Sequence, residues 1–237
     1  MKFYIIRVVE TGSTNDDLKQ RAEAGAPALT VIAAERQTAG KGRLGRAFVS
    51  PDGLYFSVLL RRQVDVAALV TASAVAVCRA AEKLTDKKYG VKWVNDVYSE
   101  GRKVCGILCE SVFSPDGSFA YSAVGIGINL SKKGLENVPV AGALFDANPP
   151  EGFGDRLLNE CLNAFGKLLE EIQKKPHLDE YRRRMILTGR DADIVTAGKT
   201  LRARILGVDD DFRLHVRYPD GAEAFLSTGE VTRTILS

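Results

Sequence analysis

The sequence predicts an α+β fold: a mixed β-sheet flanked by helices, followed by a small all-β domain. Two observations carry the larger part. Short apolar strand-like runs alternate with helical stretches, and the two longest stretches have core-facing stripes. Val66–Leu84 is rich in alanine and valine at helical spacing. Leu157, Leu158, Cys161, Leu162, Phe165, Leu168, Leu169 and Ile172 fall on one helical face. The third observation is a change of character near Leu187. From Arg190 onward, short strands are separated by Ala197-Gly198-Lys199, Asp209-Asp210-Asp211 and Pro219-Asp220-Gly221 turns. That rhythm predicts a small β-barrel of about 50 residues. A boundary between Met185 and Gly189 divides the chain into domains 1–186 and 187–237.

In chain order, residues 3–9 read as a strand and Thr11-Gly12-Ser13-Thr14-Asn15 as a turn opening a helix. Ser13 or Thr14 can cap that helix, Asp16 and Asp17 suit its first turn, and Gly25 and Pro27 end it. Residues 29–35 are strand-like, residues 38–46 form a loop rich in glycine and arginine, and residues 54–60 are a strong strand. After the alanine-rich helix come strands at 90–94, 96–99, 104–112 and 119–130. Ser114-Pro115-Asp116-Gly117 is the hairpin turn between the last two. Residues 132–150 are a Gly-, Pro- and Asn-rich loop.

Bulk composition excludes several classes. The chain has 237 residues, 45% hydrophobic and 27% charged, with formal net charge +3. That is the profile of a soluble globular protein, too weakly basic to make nucleic acid its main partner. The N-terminal run is interrupted by Arg7 and reads as a strand, not a leader, and no apolar stretch reaches membrane-span length. Cys78, Cys105, Cys109 and Cys161 form no CxxC pair and read as small core residues. They point to a reducing cytoplasm. The two histidines, His177 and His215, lie outside every motif, and HExxH and GxSxG are absent from the sequence.

Three segments could carry chemistry. Gln37-Thr38-Ala39-Gly40-Lys41-Gly42-Arg43-Leu44-Gly45-Arg46 combines glycines, which let backbone amides approach an anion, with basic side chains. It satisfies GxGxxG, but Phe48-Val49-Ser50-Pro51 follows, and Pro51 argues against the helix that a dinucleotide site needs. Kinase and Walker A patterns also fail. A solvated surface loop would have the same composition. Next, Lys92-Trp93-Val94-Asn95-Asp96 precedes a hairpin in which Lys103 opens a strand and Gly106 permits close backbone approach. A lysine there can hold a carboxylate and a phosphate together, or simply be solvated. Finally, Gly125 and Gly127 strip side chains from one face of a strand ending at Asn129, leaving a slot for something flat or marking a bulge.

Taken in order, Gly12-Ser13-Thr14-Asn15, the Glu35–Arg46 segment, Lys92-Trp93-Val94-Asn95-Asp96, Arg102-Lys103, Gly106-Ile107-Leu108 and Gly125-Ile126-Gly127-Ile128-Asn129 resemble the biotin protein ligases. The tail containing Gly229-Glu230-Val231 resembles that family's SH3-like C-terminal domain. The resemblance spans nearly the whole chain and is to the short form without an N-terminal DNA-binding domain, so it implies no DNA partner and no membrane. It implies an ATP-dependent ligase that forms biotinoyl-5′-AMP and transfers biotin to a lysine of a biotin carboxyl carrier protein of acetyl-CoA carboxylase or a related carboxylase. It allows a homodimer. ATP would carry Mg²⁺, with no dedicated protein metal site.

The implied catalytic residues are Lys103 and Arg43. Ser13, Thr14, Asn15, Gln37, Lys41, Gly42, Arg43, Lys103, Gly106, Ile107, Gly125 and Gly127 are implied to bind biotin. Gly40, Lys41, Arg43, Arg46, Phe48, Asn95, Asp96, Lys103 and Asn129 are implied around the adenylate. Two positions depart from the family pattern. Lys41 stands where arginine is common and loses bidentate geometry. Val94 stands where proline is usual, for which a local backbone effect is expected. Competing readings are a lipoate ligase or octanoyl transferase of the same superfamily, a non-enzymatic nucleotide-sensing module, and an RNA-binding protein. The last lacks an aromatic–basic platform.

Overall fold

A computed structural model describes residues 1–46, 48, 52–196 and 198–234. Residues 49–51, including Pro51 with its predicted departure from helix, and Ala197 of the first small-domain turn lie outside the described residues. The chain runs β1 (Tyr4–Thr11), α1 (Thr14–Glu23), β2 (Thr30–Gln37), β3 (Gly53–Leu60), α2 (Val66–Leu84), β4 (Gly90–Lys92), β5 (Asp96–Ser99), β6 (Arg102–Phe113), β7 (Phe119–Asn129), α3 (Phe153–Glu170) and α4 (Leu178–Arg184). Then follow β8 (Asp191–Thr196), β9 (Lys199–Val208), β10 (Leu214–Arg217), β11 (Glu223–Leu226) and β12 (Glu230–Thr234).

The first seven strands form one mixed sheet in the order β1-β2-β3-β7-β6-β5-β4, with β1 parallel to β2 and the other pairs antiparallel. Its two faces are covered differently because strand side chains alternate. Val31, Ala33, Phe56, Val58, Val124 and Ile126 pack with α2 and α3 in the main core. Ile32, Leu59, Tyr121 and Ala123 face the other way and meet Leu18 and Ala22 of α1. Each fully buried Val, Leu or Phe there contributes roughly 1.5–3 kcal/mol by leaving water. Helix α2 is buried along most of its length because alanine lets it lie close to both the sheet and α3; Asp65 caps it by accepting from the Ala68 amide at 2.9 Å. Ser13 takes the N-cap position of α1 with extended backbone, but its side chain makes no capping bond.

Helix α4 has no apolar stripe in sequence. Tyr181 is its one buried residue, and Arg184 ties it to Glu82 on α2 and to the Tyr89 carbonyl. The last five strands make an antiparallel sheet in the order β11-β10-β9-β8-β12. Among the described residues no β11–β12 pairing closes it, so it is consistent with an SH3-like domain without being a closed barrel.

Candidate active site

The pocket sits on the α1 face of the large sheet, where the apolar packing against α1 stops. Register explains the opening. Ser57, Gly125 and Leu108 lie side by side across β3, β7 and β6, and the next row is Tyr55, Gly127 and Gly106. The glycines leave room for two side chains from outside the sheet. A Cβ on Gly125 would stand 2.4 Å from Asn15 Oδ1, and one on Gly127 would stand 2.9 Å from Phe48 Cε1. A Cβ on Gly106 would meet the same Phe48 ring at 3.0 Å. The bare strip thus seats Asn15 and Phe48.

Around Asn15 the polar groups are fully engaged. Asn15 Nδ2 donates to Glu110 Oε2 at 2.7 Å, and Asn15 Oδ1 accepts from Ser57 Oγ at 2.6 Å. Gln37 Oε1 accepts from the Thr14 amide at 2.8 Å and from Thr14 Oγ1 at 3.1 Å. Lys19 Nζ holds the other Glu110 oxygen at 2.6 Å. Ser13, Thr14, Asn15 and Ser57 are all buried. This is a preorganised set of donors and acceptors on a dry wall, suited to a neutral polar ring.

The opposite end is cationic. Lys41, Arg43, Arg46, Lys92 and Lys103 line the pocket against the two carboxylates Asp96 and Glu230. Lys103 Nζ lies 2.7 Å from Asp96 Oδ1 and 5.9 Å from the Phe48 ring centroid. Arg43 donates to Asn95 Oδ1 at 3.2 Å and to the Gly229 carbonyl at 3.3 Å. Arg46 makes a bidentate pair with Glu230. Lys41 pairs with Asp16 at 2.7 Å. The glycine-rich loop is therefore held at three points, by α1, by the Asn95 turn and by the start of β12. Hydrogen bonding from Arg46 pulls the Glu230 carboxyl below its ordinary pKa, and the same pair raises Arg46. Lys41 is raised by its bond to Asp16. Burial pushes Lys92 down, with Asp96 opposing the effect.

The pocket encloses about 160 Å³. It brings together Ser13, Thr14, Asn15, Gln37, Lys41, Gly42, Arg43, Arg46, Phe48, Asn95, Asp96, Lys103, Gly106, Ile107, Gly125 and Gly127. Gly40 and Asn129 are outside the lining. A Cβ on Gly40 would meet the Phe48 carbonyl at 2.5 Å, so that glycine serves the loop's own fold. Asn129 is buried on the same strand face as Gly127; its Nδ2 donates to the Gly142 carbonyl at 2.8 Å, while its Oδ1 has no partner among the described residues. The Trp93–Val94 peptide is cis. Sequence reasoning assigned no site role to Ser57, Lys92, Glu110 or Glu230. Ser57 was detectable as the one small polar residue inside the run Leu54-Tyr55-Phe56-Ser57-Val58. Glu110 and Glu230 reach the site only through tertiary pairing.

A mixed sheet opening onto a cation-lined pocket, beside a small antiparallel sheet, defines a class. Residues 6–129 match the biotin/lipoate A/B protein ligase family. The chain belongs to that family and is a ligase. It is 30% identical to a biotin–[acetyl-CoA-carboxylase] ligase of Mycobacterium tuberculosis, across 94% of this chain and 86% of the relative. It is 38% identical to a ligase of the same name from Paracoccus denitrificans over 60% of each chain. In fold it is similar to the biotin protein ligase of Aquifex aeolicus solved in complex with biotin and ATP, with TM-score 0.78 and 24% identity over 97% of this chain and 99% of that one. Among the described residues no helix is long and apolar enough to cross a membrane.

Proposed function

We propose that this protein activates biotin with ATP, forming biotinoyl-5′-AMP and pyrophosphate, and transfers the biotin to a lysine of a biotin carboxyl carrier protein. One observation carries the reading: a buried neutral polar wall and a cluster of five cations share one pocket, spaced along the same glycine strip. The first suits the ureido ring of biotin and the second the phosphates of ATP.

In this mechanism the biotin carboxylate attacks the α-phosphorus and pyrophosphate leaves. Both reactants are anions. Lys103 and Arg43 offset their repulsion from fixed positions, which is typically worth about 3–4 kcal/mol for a single preorganised donor. Asp96 orients Lys103, and Asn95 orients Arg43. Phosphate oxygens compete with Glu230 for Arg46 and with Asp16 for Lys41, so occupancy rearranges the loop's anchors. The flat ring of Phe48, which lines the pocket, suits adenine. Asp96 and Glu230 are the two carboxylates in the lining, a donor set that fits a Mg²⁺ ion held chiefly by nucleotide phosphates. When bound, that ion neutralises phosphate charge. The carrier lysine then attacks the acyl carbon, AMP leaves, and the closed loop keeps water from the mixed anhydride. Residues 1–186 would hold the catalytic unit and 187–237 the second domain, and the unpaired cysteines fit a reducing cytoplasm.

The test is incubation with ATP, Mg²⁺, biotin and a carrier domain, read by intact mass, with lipoate in a parallel arm. Biotin transfer is the expected result. Transfer of lipoate and none of biotin would move the assignment to the lipoate branch of the family.

A further inference from the structure

Phe212 occupies a position poorly suited to its backbone. It closes the turn between β9 and β10 with φ of 60°. A bulky L-residue is disfavoured there and glycine would sit freely. Yet its side chain is buried. The ring stacks on His177 at 5.0 Å and meets Tyr181 edge-on at 5.8 Å. Its carbonyl accepts from Trp93 Nε1 at 2.8 Å, and Tyr181 donates its hydroxyl to the Val94 carbonyl at 3.2 Å. The acidic turn is fastened to the large domain as well. Lys175 Nζ donates to Asp211 Oδ1 and Arg182 Nη2 to Asp210 Oδ1, each at 2.7 Å.

Two of these hydrogen bonds, from Trp93 to the Phe212 carbonyl and from Tyr181 to the Val94 carbonyl, meet on one short segment. Trp93 and Asn95 line the pocket, and Asn95 is the partner of Arg43. We propose that Phe212 and Tyr181 are positioning residues that hold the Trp93-Val94-Asn95 wall from behind, so that the five-stranded sheet sets where Asn95, and through it Arg43, stands. The disfavoured backbone at Phe212 is retained because no glycine could supply the ring. A plug that only filled space would leave the pocket wall free to settle by itself. A strut makes the wall's geometry depend on a turn that never touches ligand.

The activity arm rests on the biotin reading; the spectroscopic arm does not. Trp93 is the single tryptophan of the chain, so its emission reports the wall directly. Phe212→Gly accepts the turn and removes the ring. Tyr181→Phe removes one hydrogen bond and keeps the packing. In unliganded Phe212→Gly, Trp93 emission should shift to the red and become more open to acrylamide quenching. KM for ATP should rise about tenfold in Phe212→Gly, and by a smaller multiple in Tyr181→Phe, with kcat changing less. A folded Phe212→Gly with wild-type emission and KM would overturn the proposal. If that variant does not fold, Tyr181→Phe decides: a raised KM supports the strut and an unchanged KM overturns it. A wild-type protein that ignores biotin would defeat the ligand assignment, while the unliganded emission would still decide the strut.

Discussion

Gly125→Ala tests the packing logic of the pocket. The new Cβ would stand 2.4 Å from Asn15 Oδ1, 2.9 Å from its Cγ and 3.1 Å from its Nδ2. Something must move, and the sheet backbone is the stiffer partner. Asn15 would leave its seat, breaking the bonds to Ser57 at 2.6 Å and Glu110 at 2.7 Å. Overpacking costs about 1–3 kcal/mol, and a bond to a charged group contributes about 1.5–3 kcal/mol. Partial relaxation of Asn15 brings the expected loss to roughly 2–4 kcal/mol. For a chain of this size that lowers the melting temperature by about 5–15 °C. Losing two hydrogen-bonding groups from the pocket should also weaken biotin binding by roughly 10–100-fold. Differential scanning fluorimetry and titration calorimetry read the two effects. Ser57→Ala is the control: it removes a hydroxyl without a clash and should give the smaller change in both. If Gly125→Ala melts within about 2 °C of wild type and binds biotin within about threefold, Asn15 is not seated by that glycine.

Lys103→Ala should slow adenylate formation by about 100-fold in pyrophosphate exchange; a wild-type rate would remove its assigned role. Glu230→Gln should loosen Arg46 and speed biotin-dependent exchange at low ATP, and unchanged kinetics would mean that the pair does not compete with phosphate. The same pair sets an acid limit: because the folded Glu230 pKa is depressed, its contribution is present above the ordinary carboxylate pKa and is lost as pH falls through the folded value. His177 acts over a higher range. Burial lowers its pKa from 6.5 to about 4. Thr71 Oγ1 already donates to the Ala67 carbonyl at 2.7 Å, so His177 Nε2 is the donor in the 2.9 Å contact with Thr71. The proton must then add at Nδ1, which has no partner among the described residues. The unfolded chain binds the extra proton first, so stability is full above about pH 6.5 and falls towards pH 4, by up to about 1.4 kcal/mol per pH unit. A His177→Gln variant should flatten denaturant midpoints across that window; an unchanged slope would exclude His177 as the source.

Elements whose cause is local were legible in the sequence. The alanine-rich helix α2 falls on Val66–Leu84 as its spacing predicts, and Ser114-Pro115-Asp116-Gly117 turns the β6–β7 hairpin, with the Gly117 amide donating to the Ser114 carbonyl at 2.9 Å. Helix α4 was not legible, because Leu178–Arg184 is held by arginine pairs to α2 and by the seat of Tyr181, neither of which leaves a periodic trace. The site divides along the same line. Gly125 and Gly127 suggested a strip without side chains, but a sequence cannot say what fills it; cross-strand register does, by placing Ser57 and Leu108 beside Gly125 and leaving Asn15 to enter from α1. Glu230 and Phe212 were the hardest to foresee. Glu230 is 184 positions from Arg46, and Phe212 is 119 from Trp93, and both matter only once the second sheet docks against the first. Charge and glycine content mark out the Gly40–Arg46 loop from within its own segment. What holds such a loop in place belongs to the rest of the chain, so the anchoring partners become visible only when long-range contacts are known.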